Sequence, residues 1–131
     1  LKPNCKGEGC NYDEILLTGL KEQILASTKN KILIVLHTST SHGPTYSKKY
    51  PPQFESFKPV CNSVELGNCS QTELINAYDN TIVYTDYILS ELIKNLKQLP
   101  DYNSAMIFVS DHGESLGENN LYMHGLPISI A

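Results

Sequence analysis

The sequence has no run of apolar residues long enough to cross a bilayer. Its longest candidates, Ile32–Leu36 and Ala105–Val109, fall far short of the roughly 20 residues a spanning helix needs. It also lacks a basic cluster. Lys48-Lys49 is the densest basic spot in a chain of formal charge −4, which excludes the basic stripe of a nucleic-acid binder. No internal repeat and no low-complexity tract is present, so a solenoid or a solvated tail is excluded as well. The cysteines show no C-x-x-C knuckle of the zinc-ribbon kind. Finally, the chain opens on Leu1 rather than Met, and no signal peptide is expected to begin there. A processed or excised soluble fragment is therefore expected, with membrane attachment of the parent protein left open.

What is present suits a folded protein. In 131 residues, 40% are hydrophobic and 18% charged, enough for one core and hence one domain or part of one. The four cysteines fall into two close pairs, Cys5 with Cys10 and Cys61 with Cys69, each bracketing polar, turn-prone residues. Two short disulfide-closed loops fit this better than four free thiols and place the protein in an oxidising compartment. More than one connectivity is possible, so the local pairing rests on loop chemistry.

After the first cysteine loop a helix is expected. It has Asp13 and Glu14 as an acidic first turn, an apolar stripe of Leu16, Leu20 and Ile24, and an end near Lys29-Asn30. Ile32–Leu36 follows without alternation, the mark of a strand buried on both faces as in a parallel sheet. Residues 37–52 read as loop, broken by Gly43, Pro44, Pro51 and Pro52. Ser70-Gln71-Thr72-Glu73 is a capping box that opens a long helix stopped by Pro100. Its apolar face is Leu74, Tyr78, Thr85, Ile88, Leu92 and Leu96. Ala105–Val109 is a second buried strand, completing a βαβ unit with parallel strands and an α/β fold. Residues 110–131 show little regular pattern and end within an apolar run, as a truncation would.

The sharpest chemical feature is the stretch Ser110–Glu118, directly after that strand, where open α/β sheets bind ligands. Asp111 and His112 lie side by side there and offer oxygen and nitrogen donors to one zinc ion, with Gly113 letting the backbone turn closely around it. His42, beyond the end of the first strand, and His124 sit in rigid loops. Parallel strands would bring the His42 loop and the Asp111-His112 pair to the same sheet edge. His42-Gly43, His112-Gly113 and His124-Gly125 repeat one arrangement. His37 reads as a surface or packing residue. Gly113–Gly117 also fits the G-x-S-x-G nucleophile elbow around Ser115. That elbow needs the serine on a strand-to-helix turn, and Glu118-Asn119-Asn120 is a poor helix start.

Four motifs together resemble the lipid A phosphoethanolamine transferases, a family that includes the mobile colistin-resistance enzymes. They are Ser41–Tyr46 with Tyr50-Pro51-Pro52-Gln53-Phe54, then Tyr78-Asp79-Asn80-Thr81, then Ser110–Glu118, then His124-Gly125-Leu126-Pro127. The resemblance implies an alkaline phosphatase/sulfatase-like parallel-sheet sandwich, of which residues 1–131 are a fragment of the soluble periplasmic catalytic domain. It implies zinc as cofactor, phosphatidylethanolamine as donor and lipid A as acceptor. Transfer would pass through a phospho-threonine intermediate at the periplasmic face of the bacterial inner membrane. By the matching motifs, Asp111 and His112 resemble zinc ligands, and His42 and His124 resemble histidines that hold the phosphoryl group or a second zinc. Glu114 resembles an acidic residue beside them. Both cysteine pairs resemble disulfides of the periplasmic domain. The nucleophilic threonine, a further zinc-ligating carboxylate and the membrane domain have no counterpart in this chain, so it is expected to be inactive alone and to work with the remainder of its own protein. Three other readings compete. One is a sulfatase-like hydrolase or phosphoglycerol transferase, one a serine esterase acting through Ser115, and one a non-catalytic, disulfide-stapled secreted binding domain.

Overall fold

The computed structural model describes residues 12–125. The Cys5–Cys10 pair and Leu126–Ala131 lie outside them.

One element organises the rest. Helix α2, Gln71–Lys97, starts where the capping box places it. The Ser70 hydroxyl accepts from Glu73 N–H, and the Glu73 carboxylate accepts from Ser70 N–H at 2.8 Å. Those two bonds satisfy donors that the first helical turn leaves orphaned. Lys94 and Lys97 lie in its last turn, where cations suit the helix dipole, and Gln98 closes it before Pro100.

Three apolar clusters succeed one another along α2. Leu74 and Ala77 pack with Tyr46, Cys61 and Leu66. Tyr84 and Ile88 pack with Tyr50. Leu92 and Leu96 pack against Leu20, Ile24 and Leu99. The buried residues of α2 are Leu74, Ala77, Asn80, Thr81, Tyr84 and Ile88, a stripe rotated from the expected one. Tyr78, Thr85, Leu92 and Leu96 face instead a cavity of ≈ 910 Å³. The sequence pattern merges these two sides because α2 carries apolar residues on both.

The loop read across residues 37–52 is tightly packed. Short 3-10 turns at Tyr46–Lys48 and Pro52–Phe54 seat two tyrosines, Tyr46 and Tyr50, in the core. The second cysteine pair is bonded as expected, Cys61 to Cys69. Asn80, fully buried, holds the loop after Phe54. Its Oδ1 accepts from Ser56 and Phe57 N–H at 2.8 and 2.9 Å, and its Nδ2 donates to Phe57 O and the Tyr50 hydroxyl.

The expectation of two buried strands needs correction. Neither 32–36 nor 105–109 is paired with another described segment. Leu33 is 90% exposed and Ile107 88%. Both segments line the cavity opposite α2, so one layer covers them and their ladder groups have no neighbour. A strand buried on both faces requires flanking strands and a second layer, which the described residues do not supply. Among those residues the sheet is a small antiparallel pair, β1 (Ser115–Leu116) with β2 (Tyr122–Met123).

The first helix differs as well. A 3-10 turn, Asp13–Leu17, is separated from α1, Leu20–Leu25, by Gly19 in the left-handed region at φ 70°. Asp13 is buried rather than solvated at a helix start; Ser39 and Thr40 take its carboxylate. No helix among the described residues is long and apolar enough to cross a membrane.

Two outcomes test this packing. Asn80→Ala removes four hydrogen bonds, two of them from the N–H groups of the exposed residues Ser56 and Phe57, and is expected to lower unfolding free energy by about 1–3 kcal/mol in urea titration; a change under about 0.5 kcal/mol would contradict the satisfied-amide account. Replacing both Cys61 and Cys69 by Ser removes a short closed loop and is expected to cost about 2.5 kcal/mol in the same assay.

Candidate metal centre

Three histidines from distant parts of the sequence meet at one end of the cavity. His42 and His124 have ring centroids 4.7 Å apart, His112 and His124 stack at 4.0 Å, and His42 and His112 lie 5.9 Å apart. One ring nitrogen from each comes within 4.8 Å of the other two. The convergence expected from parallel strand ends is therefore present, although the strands themselves are not paired.

The repeated His-Gly arrangement has a local cause at two of the three positions. His42 Nδ1 lies 2.8 Å from Gly43 O, and His112 Nδ1 lies 3.0 Å from Gly113 O. A carbonyl oxygen only accepts, so Nδ1 is the donor in both contacts, which in a neutral ring leaves the lone pair on Nε2. The third imidazole reaches the same state by another route, with its Nδ1 3.1 Å from Glu114 Oε1. All three rings thus present Nε2, each with its opposite nitrogen tied to an acceptor, the pattern of metal-binding histidines.

Asp111 stands outside this group of three. It is largely exposed, and its Oδ1 lies 3.8 Å from His112 Nε2. That is too long for a hydrogen bond, yet near the separation of about 3.4 Å that two ligands of a tetrahedral zinc adopt. Three imidazoles and a carboxylate are a donor set that suits zinc.

Glu114 joins the parts. Its side chain is 4% exposed. Oε2 accepts from the Tyr46 hydroxyl at 3.0 Å, and Oε1 lies against both His124 Nδ1 and Gly43 N–H. Burial first, and then the Glu114 hydrogen bond and charge, push the Tyr46 phenol far above its usual range. Tyr46 therefore stays a neutral donor. Gly43 is required by the same contact, since a Cβ there would sit 2.7 Å from the Tyr46 hydroxyl oxygen.

Gly113 does not play the part expected of it. A Cβ at this position would meet open space, and its backbone lies outside the left-handed region. The close turn occurs further on, where Met123 at φ 67° and Gly125 at φ 80° flank His124. A left-handed methionine carries strain, of the kind that concentrates at functional sites.

Ser115 lies in β1, opposite Met123, and among the described residues no α-helix follows it. The nucleophile elbow requires a strand-to-helix turn, so the esterase geometry is absent. His37 is exposed, away from the three-histidine group. One contributor to the site was not singled out for a role in the sequence. Tyr46 stood within a quoted motif, and an aromatic residue following the His42-Gly43-Pro44 turn was the signal it offered.

A model of the sulfatase family matches residues 1–130. Phosphoethanolamine transferase EptA of Salmonella typhimurium is 53% identical over 125 residues, covering 95% of this chain and 23% of the relative. The solved C-terminal periplasmic domain of phosphoethanolamine transferase EptC from Campylobacter jejuni superposes with a TM-score of 0.86 at 52% identity, covering 92% of this chain and 39% of that one. The integral membrane protein lipooligosaccharide phosphoethanolamine transferase A from Neisseria meningitidis matches with a TM-score of 0.86 at 42% identity, over 92% of this chain and 22% of that one. The chain thus spans about a quarter of the length of the curated relatives it matches. Its α/β fold is that of part of an alkaline phosphatase/sulfatase-like periplasmic domain, and the chain that brings these three histidines together belongs to the sulfatase family.

Proposed function

We propose that residues 1–131 are the histidine-bearing part of the periplasmic catalytic domain of a zinc-dependent phosphoethanolamine transferase. The observation that carries this reading is the convergence of three imidazoles, each with Nδ1 held and Nε2 free. Phosphatidylethanolamine is the donor, and lipid A or a related lipooligosaccharide is the acceptor. The nucleophilic threonine, the remaining carboxylate ligand and the membrane domain belong to the rest of the protein.

The residues divide the work by chemistry. Asp111 and His112 hold the metal, which when bound supplies Lewis-acid polarisation of phosphoryl and alkoxide oxygens. His42 and His124 hold the transferring phosphoryl group or a second ion. Glu114 orients His124 through Nδ1 and offsets the charge that ring carries when Nε2 bears a proton. In that form Nε2–H donates to a phosphoryl oxygen, or to the leaving oxygen as general acid. Tyr46 fixes Glu114 in turn.

The family match itself favours one second reading, a sulfatase-like hydrolase that releases its group to water. The two separate in one assay of the whole protein. Transfer of labelled phosphoethanolamine to a lipid acceptor supports the first, and release of free phosphoethanolamine or sulfate without acceptor modification supports the second.

Zinc content of the intact catalytic domain is the direct test of the metal. The wild type is expected to carry zinc and Asp111→Ala/His112→Ala to lose it while keeping its circular dichroism spectrum. A folded wild-type domain that takes up no zinc when supplied would sink the mechanism. Glu114→Gln keeps the shape but withdraws the charge from His124, and is expected to lower transfer by about 10–100-fold. Equal rates in an acceptor-saturated assay would remove Glu114 from the machinery.

A further inference from the structure

Asp13 lies far upstream of the motifs that carry the site, and nothing in the proposed chemistry uses it. Its carboxylate is nevertheless one of the most heavily bonded groups in the molecule. Oδ2 accepts from Ser39 N–H at 2.6 Å, from Thr40 N–H at 2.7 Å and from the Thr40 hydroxyl at 2.6 Å. Oδ1 lies 3.3 Å from the Ser39 hydroxyl. Asp13 is 8% exposed and Thr40 2%, so these bonds are made largely out of water, where a charged acceptor binds its donors most strongly.

The donors belong to the turn that carries His42. His42 N–H donates to Ser39 O, so Ser39–His42 is a closed turn with Asp13 on its first two amides. The Thr81 hydroxyl of α2 lies 2.9 Å from the Ser41 hydroxyl. Beyond the histidine, Gly43 N–H points at Glu114 Oε1 at 3.4 Å. His42 is therefore held on both sides by carboxylates, one already assigned to the site and one not.

We propose that Asp13 is a positioning residue of the site: by binding both amides of the Ser39–Thr40 segment it sets the turn that places the His42 imidazole against His112 and His124. Both serve one group. Without the carboxylate, two amides of this turn lose their acceptor, and the turn has to shift to find water. A displacement of about 1 Å at a reacting group costs about 100-fold in rate. This inference rests on the transferase reading for its kinetic consequence and on geometry alone for its structural one.

The test uses the intact catalytic domain with 13C-labelled histidine. Asp13→Ala, which removes the acceptor an asparagine Oδ1 would keep, is expected to move the His42 ring-proton shifts, because that ring then loses its packing against its two neighbours. The His124 ring protons, with that ring 4.7 Å from His42, are expected to shift with it, while the Nδ1 contact to Glu114 persists. In the lipid-transfer assay the same variant should lose about 10–100-fold in kcat with KM unchanged. Asn80→Ala serves as the comparison, a destabilised variant outside the site that should leave kcat per folded molecule and the His42 shifts alone. If Asp13→Ala behaves like Asn80→Ala, with a lower Tm and unmoved His42 shifts, the positioning role is overturned. Should Asp13→Ala fail to fold, Asp13→Glu moves the carboxylate along by one methylene and is read the same way. Absence of transfer in the wild type overturns the transferase reading, while the histidine shifts still decide the role of Asp13.

Discussion

The buried carboxylate of Glu114 is the contact on which the site depends. It draws together the turn at Gly43, the ring of Tyr46 and the imidazole of His124, segments that share no secondary structure. An anion sealed from water is tolerated only where donors surround it, so the protein is obliged to keep all three segments in place. That obligation runs outward. Tyr46 reaches Glu114 only because position 43 has no side chain, and Tyr46 in turn packs on Leu74 and Ala77 of α2. The histidines are thus tied to the most regular element of the fold through one tyrosine.

Helix α2 serves two sides at once. Toward the loops it buries Tyr84, Ile88 and the polar pair Asn80 and Thr81, whose hydrogen bonds reach the segment after Phe54 and the turn before His42. Toward the cavity it shows Tyr78, Ile82, Leu89 and Leu92. The motif Tyr78-Asp79-Asn80-Thr81 is therefore a splice between the helix and two loops. None of its members belongs to the three-histidine group, yet Thr81 reaches Ser41 in the turn before His42, Asn80 holds the segment after Phe54, and Tyr78 packs edge-on against Tyr46 with ring centroids 5.6 Å apart.

What could be read from the sequence follows the range of each interaction. The start of α2 was legible because a capping box is local, the serine and glutamate satisfying each other's neighbours three residues apart. The Cys61–Cys69 link was legible for the same reason. The apolar runs at 32–36 and 105–109 read as buried strands, but a strand exists only when another segment bonds to it, and no pattern within the run supplies that partner. The His-Gly repeat was visible without its meaning, since the bond from Nδ1 to the following carbonyl shows itself only in coordinates. Asp13 misled because an acidic residue ahead of an apolar stripe looks like a helix start. Its bonds to Ser39 and Thr40 cross 26 and 27 residues, a distance at which sequence pattern carries no signal.

The two apolar segments have a consequence for what can join them. Leu33, Val35, Ile107 and Val109 are 74–90% exposed, on segments whose amides and carbonyls pair with no other described segment. β-Branched, uncharged and free of proline, these stretches are the kind that template edge-to-edge association between molecules. A neighbouring strand laid along either segment would supply the missing ladder bonds and cover these side chains, so the two segments are open sides of a sheet rather than finished surfaces.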